Sequence, residues 1–333
     1  MLIPVMKASA GQPMINMIVN AVCPVVALIG AGYLSGRRQL LGVGALDALN
    51  LYVVWLALPA MLFLVMAHLT GKDLSHLPFV LSFLGAQMLP FLAIYLWARR
   101  AGRGIGQATV DSLTGSYANT SYMGIPVLMA VLGPRSMMPM AIATVMTVCI
   151  QFAGSILLME KERALKGGAL LSRRRLIWTV LCNPLVASPL AGGAFALAGN
   201  MGGFHLPQMA ETTLTMLGNS SSPCALVVIG LFLASRQGDA AWARSGDGLL
   251  LAVLTFIKLI VQPLIAFVLA FWVFRTDPLW ARACVLLAAT PNGTGAFMLA
   301  RLYDREAGMI SRAILISTIL SAITLPLFIL LLS

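Results

Sequence analysis

Runs of about 20 apolar residues recur along the chain, at roughly 14–36, 46–68, 77–97, 107–132, 138–159, 176–199, 209–234, 248–274, 279–302 and 310–332. An α-helix of that length spans the ~30 Å hydrocarbon core of a bilayer. The pattern predicts an all-α membrane protein with ten transmembrane helices. The one long, strongly polar interruption, KERALKGGALLSRRR at 161–175, falls between the fifth and sixth runs. It divides the chain into a first five-helix repeat at 14–159, a basic cytoplasmic loop at 160–175 and a second five-helix repeat at 176–333. Residues 1–13 hold one lysine and too short an apolar run for a cleavable signal, so they are read as an N-terminal extension, with Met14 an alternative start.

Two runs break the pattern. GSYANTSYMGIPVLMAVLG at 115–133 and LLAATPNGTGAFMLARLY at 286–303 carry Asn, Gly, Pro and hydroxyl residues at their centres, where a lipid-facing helix carries Leu and Val. Asn119 and Asn292 are 173 positions apart, and so are Pro90 and Pro263 in the preceding runs. Further pairs follow the same order, CPVVALIGAG with NPLVASPLAGG and PFLAIYL with PLIAFVL. Five spans end on the side opposite to their start, so a second similar set enters upside down. The expectation is two inverted repeats whose broken helices, the fourth and ninth, cross at the bilayer midplane.

Pro126 lacks an amide donor and Gly124 tolerates unwound backbone, so the fourth helix should open over 120–124. Pro291, Gly293 and Gly295 should open the ninth, flanked by Asn292 and Thr294. Asn119, Thr120, Ser121, Asn292 and Thr294 offer donors and acceptors to a carboxylate or, through their oxygens, to a cation, and half-helix N-termini favour an anion. The competing reading is a pair of proline kinks satisfied by neighbouring helices.

Composition agrees with a membrane protein: 59% of residues are hydrophobic, 10% are charged, and mean hydropathy is +0.92. The net charge of +11 does not mark a nucleic-acid binder, because the basic residues cluster at span ends with no exposed aromatic stripe between them. Of the 22, 16 fall in loops after odd-numbered spans and 5 on the other side, which puts the odd loops in the cytoplasm and both termini outside. The five cysteines lie in apolar runs without ligand spacing and read as buried apolar residues, neither disulfides nor metal ligands. No Walker, GxSxG or HExxH motif is present, so an enzyme has little to stand on.

Lys258 is the one ionisable residue deep in a run, about 15 Å from the cytoplasmic end of the eighth helix. Its burial costs about 2.5–3.5 kcal/mol on insertion scales, and no carboxylate lies at that depth. Either an anionic substrate is its partner or its ammonium binds carbonyls released by Pro263. Gln87, Gln151 and Gln262 are weaker candidates, since single amides often join helices. Asp47, Asp111 and Asp247 lie near cytoplasmic ends and Glu211 and Asp277 near outer ends, so no central proton carrier of the Asp or Glu type is apparent. His68, His76 and His205 read as solvated.

The ordered set ANTSYMGIPVL, CNPLVASPLAG, SSPCALVVIGLFL, KLIVQP and ATPNGTGAFMLARLY resembles the auxin efflux carrier family of secondary transporters, in particular its bacterial malonate or small-carboxylate permeases. The likeness covers nearly the whole chain after Met14. It implies ten helices in two inverted repeats, broken helices at the fourth and ninth positions, and a substrate between a scaffold and a transporting domain. Asn119 and Pro126 would belong to the first crossing helix, Pro291 and Asn292 to the second. Plant members carry a very long loop after the fifth helix, and its shortness here points to a bacterial inner-membrane permease. The distant likeness to bile-acid sodium symporters would want more acidic side chains.

The functional expectation is a secondary transporter of a small organic anion, a mono- or dicarboxylate such as malonate, by alternating access. Its site would comprise Asn119, Thr120, Ser121, Gly124, Pro126, Lys258, Pro291, Asn292, Gly293 and Thr294. No cofactor or metal is expected, and the coupling ion, H+ or Na+, stays open. The expected partners are the organic anion, membrane lipid and a second copy as a homodimer. The alternatives are a passive anion or solute channel or uniporter, and a sodium-coupled symporter.

Overall fold

The computed structural model describes residues 14–68, 76–166, 184–202, 206–235, 248–305 and 307–332. The described chain is helical, and its one β feature is an isolated bridge between Ala118 and Asn292. The helices are α1 (Met14–Arg37), α2 (Ala45–Ala67), α3 (Leu77–Arg100), α4 (Ile105–Ser116), α5 (Ile125–Leu132) and α6 (Pro134–Leu165), followed by α7 (Pro184–Gly202), α8 (Gln208–Ser235), α9 (Gly248–Val273), α10 (Pro278–Ala288), α11 (Gly295–Leu302) and α12 (Gly308–Leu332). Among the described residues six helices are long and apolar enough to cross a membrane: α2, α3, α6, α8, α9 and α12. The extension 1–13 and most of the basic loop lie outside the described residues, as do Cys182, His205 and Asp247.

The chain is apolar outside as well as inside. Leu92, Trp272 and Ile323 are among many large side chains more than half exposed, which suits a lipid-facing surface. Hydroxyls and amides instead point inward: Ser112, Thr114, Gln87, Gln151 and Gln262 are buried. In α4 the hydroxyls of Thr109, Ser112, Thr114 and Ser116 each donate to the carbonyl four residues back, so a polar helix interior leaves no donor idle.

Prolines set the local irregularities. A π-helical stretch precedes three of them: Val53–Ala57 before Pro59, Thr120–Gly124 before Pro126 and Ile257–Val261 before Pro263. Proline offers no amide and crowds the carbonyl four residues earlier, and widening the preceding turn relieves both without ending the helix.

The helices sort into two packed groups. In one, α1 packs along α8, α7 along α2, and α8 along α2. In the other, α3 packs on α4, α9 on α3 and α10, and α6 on α3 and α4. The groups meet where α1 touches α12 and α5, and where α2 touches α6. At one end of the second group, Glu162 of α6 accepts from the Gly106 amide at 2.9 Å and pairs with Arg305, while the Tyr303 hydroxyl donates to Glu160 at 2.7 Å. These bonds tie α4 and α11 to α6.

The cysteine reading is only partly right. Cys284 is buried, Cys149 and Cys224 are half-buried, and Cys23 is exposed on the apolar surface; all four are free. His68 and His76 are both exposed, as read; His68 lies 3.3 Å from the Glu211 carboxylate, and His76 stacks on Trp280 with ring centroids 3.8 Å apart.

Candidate functional site

Both central interruptions are present, and they touch. α4 ends at Ser116, Tyr117–Asn119 runs extended, and the chain re-enters helix at Thr120. α10 ends at Ala288, and α11 begins at Gly295. The two extended stretches pair as a minimal antiparallel ribbon: the Asn119 amide donates to the Pro291 carbonyl at 2.9 Å, and the Gly293 amide donates to the Tyr117 carbonyl at 3.0 Å. Backbone that helix breaking would leave unpaired thus finds partners in the opposite break.

The first break lies earlier than the prolines suggest. The opening is at 117–119, while Thr120–Gly124 is a π-turn closed by the Gly124 amide on the Asn119 carbonyl at 3.1 Å. Pro126 sits in the first turn of α5, a position where its missing amide is no loss. In the second break the opening coincides with Pro291, Asn292, Gly293 and Thr294.

Close approach in the second break requires glycine. A Cβ on Gly293 would stand 2.9 Å from the Tyr117 ring, and one on Gly295 would stand 2.7 Å from the Tyr117 hydroxyl oxygen. The ring lies against this glycine stretch, with Phe152 at a centroid distance of 6.0 Å on another side.

A cavity of about 50 Å³ opens at the ribbon, between the two helix groups. Tyr117, Asn119, Thr120, Gly293, Thr294 and Gly295 form its polar wall; Met61 and Leu62 of α2, Ser221 of α8 and Phe152 of α6 are among the residues facing them. A buried water needs about 10–15 Å³, so the space holds a few waters or a small solute. Among the described residues no lining side chain is charged. Thr294 caps α11 without a side-chain hydrogen bond, so the first amides of that helix keep their donors beside the cavity.

Of the ten residues singled out from the sequence, Asn119, Thr120, Gly293 and Thr294 line this space. Gly124, Pro291 and Asn292 stand behind the wall. The Asn292 side chain is fully buried, and among the described residues neither its nitrogen nor its oxygen has a partner; its backbone amide donates to the Ser317 hydroxyl of α12 at 3.1 Å. The side chains of Ser121 and Pro126 lie outside the described residues. Lys258 is also away from the cavity wall. It is fully buried in α9 and donates to the carbonyls of Ala288 at 2.8 Å and Thr290 at 2.5 Å. Those carbonyls belong to the second break and not to the turn before Pro263, because Pro263 sits in the first turn after a π-turn that absorbs its missing donor.

One turn along the same face of α9, Gln262 donates to the Ser116 carbonyl at 2.9 Å, and Gln151 of α6 reaches the Ser116 hydroxyl at 2.7 Å. A single helix face therefore caps the carbonyl ends of both interrupted helices. Taken one at a time in the sequence, the glutamines look like helix glue and this arrangement is missed, although the i, i+4 spacing of Lys258 and Gln262 is the available signal. Tyr117 and Ser221 escape the sequence reading too, although each lies inside a stretch that it quotes.

A multi-helix membrane protein with its polar groups gathered at two joined helix breaks has the architecture of a solute transporter. The chain matches the Membrane transport protein family over residues 17–329 and belongs to that family, which includes the auxin efflux carriers. It is 28% identical over 318 residues to the "Putative malonate transporter" of Rhizobium meliloti (strain 1021), covering 92% of this chain and 93% of that one. It is 29% identical over 318 residues to an uncharacterized transporter of Methanothermobacter thermautotrophicus, covering 93% and 96%. To auxin efflux carrier component 8 of Arabidopsis thaliana it is 21% identical over 352 residues, covering 91% and 94%. The protein is a membrane transport protein and not an enzyme.

Proposed function

We propose that the protein is a secondary transporter moving a small organic anion, a mono- or dicarboxylate such as malonate, by alternating access. The observation that carries this is the cavity at the joined breaks, walled on one side by the paired, non-helical backbone of the two breaks and on the other by a separately packed set of helices. Asn119, Thr120 and Thr294 supply donors to a carboxylate, and the free amides of α11 add the positive end of a helix dipole. Lys258, when protonated, adds positive charge from behind the second break. The name of the Rhizobium relative supports a carboxylate substrate.

In this reading the chain crosses the membrane ten times as two inverted repeats, with α4–α5 and α10–α11 as the broken crossings. A further regularity supports it. Thr144 of α6 donates to Thr120 in the first break at 3.4 Å, and Ser317 of α12 accepts from Asn292 in the second; they stand 173 positions apart, the spacing of Asn119 and Asn292. The loop charges favour both termini outside a bacterial inner membrane. α1, α2, α7 and α8 form the scaffold, the face available for a homodimer, and the remaining helices carry the solute. Counterflow of labelled malonate and related carboxylates in proteoliposomes tests the proposal: saturable exchange supports it, and linear flux without counterflow favours a channel.

A further inference from the structure

We infer that the cleft between α9 and α12 binds a phospholipid with an anionic headgroup, one acyl chain lying in the cleft and the headgroup at its mouth. The cleft is a groove of about 400 Å³, walled by Leu251, Ala252, Phe256, Ile316, Leu320 and Ile323 among others, and it shares no lining residue with the cavity at the breaks. Phe256 and Ile323 are more than half exposed, so the groove opens on the apolar outer surface. Leu251 and Leu254 pack with Met309 and Ala313, so α9 and α12 begin at the same end and run side by side. From Gly248 to Ile260 the groove follows α9 for about 18 Å, and half the hydrocarbon core is about 15 Å thick. Its length is that of one leaflet.

Lipid tails are as apolar as these walls, so an apolar groove alone holds no lipid in preference to the bulk. Two features add that preference. At the mouth, α9 begins at Gly248, where a side chain would meet open space, and Arg312 stands one turn before Ile316 on the same face of α12. A guanidinium and the positive end of a helix dipole together suit a phosphate. Within the groove, Thr255 is 4% exposed, and among the described residues its hydroxyl has no partner. Thr318 of α12, by contrast, donates to the carbonyl four residues back in the usual way. Thr255 lies about 10 Å along α9 from Gly248, and helical side chains lean toward the N-terminus, which brings its hydroxyl toward the glycerol esters of a lipid whose phosphate sits at the mouth. Those esters supply the missing acceptor. The site also bears on the breaks: Ser317 of α12 accepts from the Asn292 amide, and Gln262 of α9 donates to the Ser116 carbonyl. A chain wedged between α9 and α12 therefore sets the spacing of two helices that hold both breaks.

The test is native mass spectrometry of the purified full-length protein titrated with dioleoyl phosphatidylglycerol and, separately, with dioleoyl phosphatidylcholine. The wild type should retain one phosphatidylglycerol roughly ten-fold more tightly than phosphatidylcholine. Arg312→Gln should abolish that preference, and Thr255→Val should weaken retention of both lipids several-fold. Ala252→Trp, which fills the groove from an exposed position, should weaken both roughly ten-fold. In proteoliposomes, phosphatidylglycerol should raise carboxylate exchange several-fold for the wild type and leave Ala252→Trp unaffected. Equal retention of the two lipids by the wild type, or full retention by Ala252→Trp, overturns the inference. Equal competition by glycerol phosphate overturns it too, by marking a headgroup site without a chain, and so does a dimer that Ala252→Trp dissociates, by giving the groove to a second copy. Lipid retention is read without transport, so a failed carboxylate assignment is told apart from a failed lipid site. If a variant does not fold, the wild-type comparison of the two lipids still decides.

Discussion

The Gly293 amide and the Tyr117 carbonyl are joined at 3.0 Å, while the ring of the same tyrosine lies where a Gly293 side chain would be. One residue thus holds the second break by its backbone and limits it by its side chain. Gly293→Ala should force the ring aside at about 1–3 kcal/mol, as overpacking elsewhere does. The expected outcome is a lowered unfolding midpoint and a several-fold loss of transport, part of which Tyr117→Leu in the same chain restores. An unchanged midpoint and rate would show that the ring has room to yield.

Asn292 and Ser317 make opposite predictions. The Asn292 side-chain amide is buried without a partner, so Asn292→Ala should leave stability nearly unchanged or raise it, because no bond is lost. Ser317→Ala strands the buried Asn292 backbone amide and should cost about 1–3 kcal/mol. Denaturation of both variants checks this.

Arg301, at the end of α11, pairs with Asp47 of α2 and lies 5.7 Å over the Phe232 ring of α8; one turn earlier Phe297 meets the same ring edge-on at 5.3 Å. These contacts join the two helix groups about 9 Å along α2 from the cavity residue Val53. Asp47 is 70% exposed, so the pair contributes no more than about 1 kcal/mol and can open readily. Asp47→Arg should alter the transport rate several-fold with little change in stability, and the exchange Asp47→Arg with Arg301→Asp should restore it. Failure of the exchange to recover any activity would remove the pair from the cycle.

Glu162 is a different kind of pair. It is 5% exposed and serves both Arg305 and the Gly106 amide. Removing one partner of a buried pair costs about 3–5 kcal/mol. Glu162→Ala should therefore reduce the amount of folded protein recovered from membranes, while Lys161→Ala, on the exposed position beside it, should not.

Much of the fold is legible in the sequence because hydrocarbon imposes a narrow code. Apolar runs mark the helices, and the polar centres at Asn119 and Asn292 mark the two breaks, since nothing else tolerates them at that depth. The opening of the first break is not legible. Pro126 marks where a helix resumes as readily as where it fails, and a π-turn separates the two. Lys258 shows another limit: its depth announces a partner, but an anion and a pair of carbonyls satisfy an ammonium alike, and only the fold brings Ala288 and Thr290 to it. Tyr117 stays hidden because an aromatic in an apolar run carries no signal until a glycine is seen against it.

Gly32 and Gly230 decide what is free to move. A side chain on Gly32 would run into the Val227 carbonyl, and one on Gly230 into that of Ile29, so the main chains of α1 and α8 rest directly on each other. Two rods in such contact act as a fixed rail: neither can roll or slide without lifting off the other. In the proposed alternating-access cycle, displacement would thereby be passed to the helices carrying the two breaks, with the loosely tied Arg301 corner as the place where it opens.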